Sequence, residues 1–92
     1  MTDAISIIQV RHEGRLLYVL LDAAEANGTL RGTAVEARWR EGKERVQDSG
    51  DFEGEAALYF ELLSELAASG KLAGTWIEQR WLTIKSRIPA AA

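Results

Sequence analysis

The chain has 92 residues, a formal net charge of −3 and no cysteine. That length allows one domain with a modest core. The missing cysteines exclude a disulfide scaffold, a Cys-based zinc site and a Cys nucleophile, and the acidic balance argues against a general affinity for nucleic acid.

Met1-Thr2-Asp3-Ala4 lacks the basic region of a secretory signal. The longest apolar run, Leu16–Leu21, falls far short of the ~20 residues that span a bilayer. A cytoplasmic protein without membrane contact is therefore expected. We read the chain as a single domain, 1–92, with no linker and no internal repeat.

In chain order, Ala4–Arg11 reads as a first strand. Ile5, Ile7, Ile8 and Val10 are β-branched and suit a pleated surface. His12-Glu13-Gly14 supplies a turn into a second strand, Arg15–Asp22. There Leu17, Val19 and Leu21 would lie on one face and Leu16, Tyr18 and Leu20 on the other. Both faces of this hairpin are apolar. Ala23–Ala26 could add a helical turn, stopped by Asn27-Gly28. Thr33–Arg40 reads as a half-buried strand with Val35, Ala37 and Trp39 inward. Glu41-Gly42 then turns into a charged edge strand, Lys43–Asp48.

Beyond Ser49 the pattern becomes helical. Asp51 is a candidate N-cap, and Glu55–Ala68 carries Ala56, Tyr59, Leu63, Leu66 and Ala67 at helical spacing, with Gly70 as its stop. In the last segment Thr75 and Glu78 form a capping box, and Ile77, Trp81, Ile84 and Ile88 share a helical face. Its β-branched content leaves a strand as the alternative. The expected fold is thus α+β: an antiparallel meander of three or four strands followed by two helices packed on one face. The alternative turns the last element into a fifth strand.

Little in the sequence carries chemistry. His12 is the single histidine and sits in an expected turn without a positioned partner. Set on an EF-hand register, Ser49, Asp51 and Glu53 place Gly54 correctly, but position twelve is Phe60 instead of the bidentate Glu. These acids read better as complements to a helix N-terminus. No catalytic residue, metal ligand or cofactor-binding residue is assigned, and no enzyme is expected.

Two surfaces remain. The apolar hairpin offers Ile5, Ile7, Ile8, Leu16, Tyr18 and Leu20 as interface candidates, because one helix layer covers only one sheet face. Arg38, Arg40, Lys43 and Arg45 form a candidate polar recognition surface, diluted by Glu36, Glu41 and Glu44. The expected function is a small protein-interaction module (an accessory subunit, adaptor or inhibitor-like protein) with a protein partner or a second copy of itself. The alternative is a nucleic-acid-binding domain using Arg38–Arg45, with a small acid–base enzyme behind it. Charge is also uneven: residues 48–65 hold acids and no base, whereas 80–88 hold Arg80, Lys85 and Arg87 and no acid.

Overall fold

The structure, a computed structural model, describes residues 9–88, and every regular element among them is helical. Residues 9–12 are helical, followed by α1 (Gly14–Ala26), α2 (Ala34–Ser49), α3 (Phe52–Ala68) and α4 (Trp76–Arg87). The α+β meander is therefore wrong, in its fifth-strand form as well. Arg15–Asp22 lies in α1; Thr33–Arg40 and Lys43–Asp48 belong to one continuous helix. Most of the first expected strand, with Ile5, Ile7 and Ile8, lies outside the described residues.

The error has a physical cause. An unbroken apolar run such as Leu16–Leu21 has no period of its own, so it fits a strand buried on both faces or a helix. In the helix, Leu17, Leu20, Leu21 and Ala24 are buried while Leu16 and Val19 face out. On α2 the alternation of Val35, Ala37 and Trp39 was accidental. The buried set is Val35, Trp39, Gly42 and Val46, which is helical spacing.

The second half agrees with its sequence. Asp51 caps α3 by accepting the Gly54 N–H at 2.9 Å. Thr75 caps α4 by accepting the Glu78 N–H at 3.3 Å. Glu78 reaches back one residue further than a capping box requires, to the Gly74 N–H at 3.2 Å. Trp81 is buried with Ile77 and Ile84, against helices and not a strand layer.

The expectation of no internal repeat also fails. Gly28-x-Leu30-x-Gly32-Thr33-x-x-Glu36-x-Arg38-Trp39 recurs 42 residues later as Gly70-x-Leu72-x-Gly74-Thr75-x-x-Glu78-x-Arg80-Trp81. Each copy is the loop and second helix of a helical hairpin, and the two loops share one geometry. Gly28 and Gly70 have φ 84° and 80°; Gly32 and Gly74 have φ 77° and 76°. Thr29 N–H bonds to Ala24 O at 2.9 Å, and Lys71 N–H to Leu66 O at 3.0 Å. With the Gly28-to-Glu25 and Gly70-to-Ala67 bonds, both 3.1 Å, these form Schellman caps. The Thr33 and Thr75 hydroxyls donate to Leu30 O and Leu72 O, both at 2.7 Å. Leu30 and Leu72 are fully buried plugs. Even the aromatic pairs match: Tyr18 to Trp39 at 5.1 Å and Phe60 to Trp81 at 5.0 Å between ring centroids.

The hairpins interlock. Helix backbones approach most closely between hairpins: α1 on α3, α2 on α3 and α4 on α1. Arg45 of the first hairpin pairs with Glu55 of the second at 2.8 Å, and Arg87 of the second pairs with Glu13 of the first at 2.9 Å. Both members of each pair shift by 42 residues into the other pair. Such reciprocity (residue i on j, and j's equivalent on i's) marks a twofold relation. Gly14 and its equivalent Ala56 meet at the α1–α3 crossing. A Cβ on Gly14 would lie 2.5 Å from Phe52 O and 3.2 Å from the Ala56 methyl.

Equivalent positions should therefore respond alike. Trp39→Ala and Trp81→Ala should each lose about 3–5 kcal/mol of stability, as large aromatic deletions in cores do. Gly32→Ala and Gly74→Ala should each lose about 1–2 kcal/mol, the cost of a left-handed backbone for an L-residue. Urea denaturation of the four variants checks both pairs. A large inequality within either pair contradicts the equivalence.

Candidate interaction surface

The twofold relation creates two equivalent seams between hairpins, α2 against α3 and α4 against α1. Their side chains differ, and the difference defines the site. In the α2–α3 seam, Gly42 lets the helices approach: a Cβ there would come within 2.9 Å of Leu58 and 3.0 Å of Tyr59. Tyr59 is buried and its hydroxyl donates to Gly42 O at 2.8 Å. Burial pushes the phenol well above its ordinary range, so it stays a donor. Arg38 then spans the seam to Glu61 at 3.0 Å and Glu65 at 3.6 Å.

In the α4–α1 seam, Ile84 stands at the Gly42 position and Leu17 at the Tyr59 position. The branched Ile84 side chain fills space that Gly42 leaves to its neighbour. Accordingly α4 lies against α1 less extensively than α2 against α3. Val19 and Ala23 replace Glu61 and Glu65, so Arg80, the equivalent of Arg38, has no ion-pair partner among the described residues. What remains is a groove of about 330 Å³. Leu20 and Ile84 form its floor, and Leu16, Val19, Trp76 and Arg80 its upper walls. Trp76, Val19 and Leu16 are 55%, 49% and 47% exposed. At one end the groove also includes Arg87, which holds Glu13 at 2.9 Å and 3.1 Å.

The expected interface candidates are divided by this arrangement. Leu16 and Leu20 belong to the groove. Tyr18 instead turns inward to an aromatic cluster with Trp39, Phe52 and Tyr59. Ile5, Ile7 and Ile8 lie outside the described residues. Sequence reasoning placed Val19 on the apolar hairpin without singling it out, and missed Trp76 and Arg80. The detectable signal was the 42-residue repeat, which sets Val19 against Glu61 and Trp76 against Ala34.

The expected polar surface is not continuous. Arg38 and Arg45 serve the α2–α3 seam, while Arg40 and Lys43 turn to α1. Lys43 bonds Glu25 at 2.9 Å and lies 3.3 Å from Asp22. Arg40 lies 3.7 Å from Glu25 and 3.5 Å from Glu36. The Lys43 hydrogen bond holds the Glu25 carboxyl below the usual carboxylate range, and Glu25 in turn raises Lys43. The buried Trp39 indole N–H completes no hydrogen bond. His12 is exposed beside Arg11, Arg15, Asp51 and Glu53. Among the described residues no three His, Cys, Asp or Glu side chains converge as a metal site would need, and no helix is long and apolar enough to cross a membrane.

No family model, curated protein or solved structure matches this chain.

The Glu25–Lys43 pair sets a pH dependence. A carboxyl lowered on folding contributes stability above its ordinary range and loses it as pH falls through the folded value. The raised lysine keeps its contribution below its ordinary range and loses it as pH rises through its folded value. The pair therefore acts across neutral pH. Glu25→Gln should cost roughly 1 kcal/mol at pH 7, the scale of a partly exposed ion pair, and little at pH 3. Thermal melting of both proteins at the two pH values checks this; an equal deficit at pH 3 contradicts it.

Proposed function

We propose that this chain is a small protein-interaction module, non-enzymatic in its own action, that binds a protein partner through the α1–α4 groove. The supporting observation is the broken equivalence of the seams. Around Gly42 and Arg38 one copy is closed by Tyr59 and the Arg38 pairs, and its open depression lies at the far end, by Ala34 and Leu66; the other copy leaves Leu16, Val19 and Trp76 at the surface beside Arg80. Exposed apolar side chains gathered along a groove with a polar rim are a common mark of protein contact sites. Tryptophan and arginine are also the residue types that most often dominate such contacts.

Nucleic acid is the weaker reading. The four cations expected to bind it are each ion-paired within the molecule, whereas phosphate-driven affinity needs several unopposed cations.

Two photo-cross-linking positions separate the groove from the opposite side of the molecule. A photoreactive amino acid at Trp76 should capture a partner in the native cell, and the adduct should disappear when Val19→Glu is added. The same group at Arg40, beside Glu25 and Glu36, should capture none. Equal adducts at both positions, or none at position 76, contradict the assignment.

A further inference from the structure

Resting on that reading of the groove, we propose that its occupant is an amphipathic helix of a partner protein that presents apolar side chains at i, i+3 or i+4, and i+7, with a carboxylate facing Arg80. The shape supports a helix. Trp76, Arg80, Thr83 and Arg87 recur every three or four residues along α4, and one turn of α1, with Leu16 three and four residues before Val19 and Leu20, lines the other side. From Trp76 to Arg87 the wall runs roughly 16 Å, or three helical turns at 1.5 Å per residue. A three-turn ridge on α4 facing an apolar turn of α1 leaves a channel that a third helix can enter ridge into groove.

The charge of the occupant follows from the closed seam. There the arginine equivalent to Arg80 is satisfied by Glu61 and Glu65, both carried by the facing helix. In the open seam those two positions are Val19 and Ala23. A docking helix would cover Val19 with apolar side chains and supply the carboxylate that α1 lacks. Arg80 is exposed in the free protein, and covering it without a partner charge would be costly, so a neutral or basic helix would bind at a disadvantage. The rest of α4 reinforces the preference, because after Glu78 it holds Arg80, Lys85 and Arg87 and no acid. The same residues disfavour a second copy of this chain. A twofold contact centred on the groove would set Arg80 against its own copy, and like charges at an interface oppose association.

A helix-constrained peptide library without charge bias, displayed on phage and panned on the whole protein, tests this. The counter-target is Val19→Glu/Ala23→Glu, which gives the open seam the carboxylates of the closed one, at the exposed Val19 and the half-buried Ala23 of α1. Enriched peptides should be acidic and carry the i, i+3/i+4, i+7 apolar pattern. Their affinity should fall at least tenfold on the double variant. On Arg80→Glu it should also fall at least tenfold, and replacing the peptide's facing carboxylate by lysine should restore it. Circular dichroism of each variant verifies the fold, and Trp76→Ala gives a second loss of binding that introduces no charge.

Enriched peptides that are neutral or basic, yet still lost on the double variant, would overturn the acidic partner and leave the groove as an interaction site. Peptides retained on the double variant, or no enrichment at all, would overturn both. A concentration-dependent dimer abolished by Val19→Glu/Ala23→Glu would replace the partner helix with a second copy.

Discussion

Neither hairpin buries its own apolar face; each is covered by the other. The crossing of α1 and α3 at Gly14 and Ala56 is the point on which this depends, because a side chain at Gly14 would collide with the Phe52 carbonyl. Close approach there brings Leu17, Leu20 and Leu21 onto the equivalent surface of α3, where Tyr59, Leu62 and Leu63 are fully buried. Once the two first helices cross, each second helix falls onto the other hairpin. The reciprocal Arg45–Glu55 and Arg87–Glu13 pairs then fix the register at the rim. These arginines are about half exposed, so they contribute little net stability and act mainly as positional ties.

Repetition explains both the stability and the candidate site. Two copies of one hairpin solve the same burial problem with the same plugs, Leu30 and Leu72, and the same anchors, Trp39 and Trp81. Because the arrangement is near-symmetric, every departure from symmetry can be read against its own internal control. Glycine against isoleucine at positions 42 and 84 alters the helix spacing. Glutamate against valine at 61 and 19 alters what the arginine opposite can pair with. Leaving Arg80 without an ion pair among the described residues exposes Leu16, Val19 and Trp76 beside it, and that contrast with Arg38 motivates an interaction role.

The helix ends were legible in the sequence. Asn27-Gly28, Asp51, Gly70 and Thr75 all terminate or start helices where their local chemistry requires, since capping is settled by a residue and its neighbours within one turn. So was the buried character of Trp39, Trp81, Ile77 and Ile84. The α1 and α2 segments were misread because Leu16–Leu21 is apolar throughout, and because Val35, Ala37 and Trp39 alternate by chance. The repeat was also present in the sequence, carried by Gly, Leu, Thr and Trp at fixed spacing while the intervening positions diverge.

Sequence alone thus determined what local interactions satisfy: the caps and stops, the residues too large and apolar to remain in water, and the exclusion of cysteine chemistry. The tertiary structure decided what depends on distant partners. An apolar run becomes a helix or a strand according to what covers its faces, and here the cover for α1 is α3 and α4. The fate of each arginine was likewise non-local. Arg38 and Arg80 sit in the same sequence motif, yet one meets Glu61 and the other meets Val19, and only the packing of α2 on α3 and α4 on α1 makes that difference a groove.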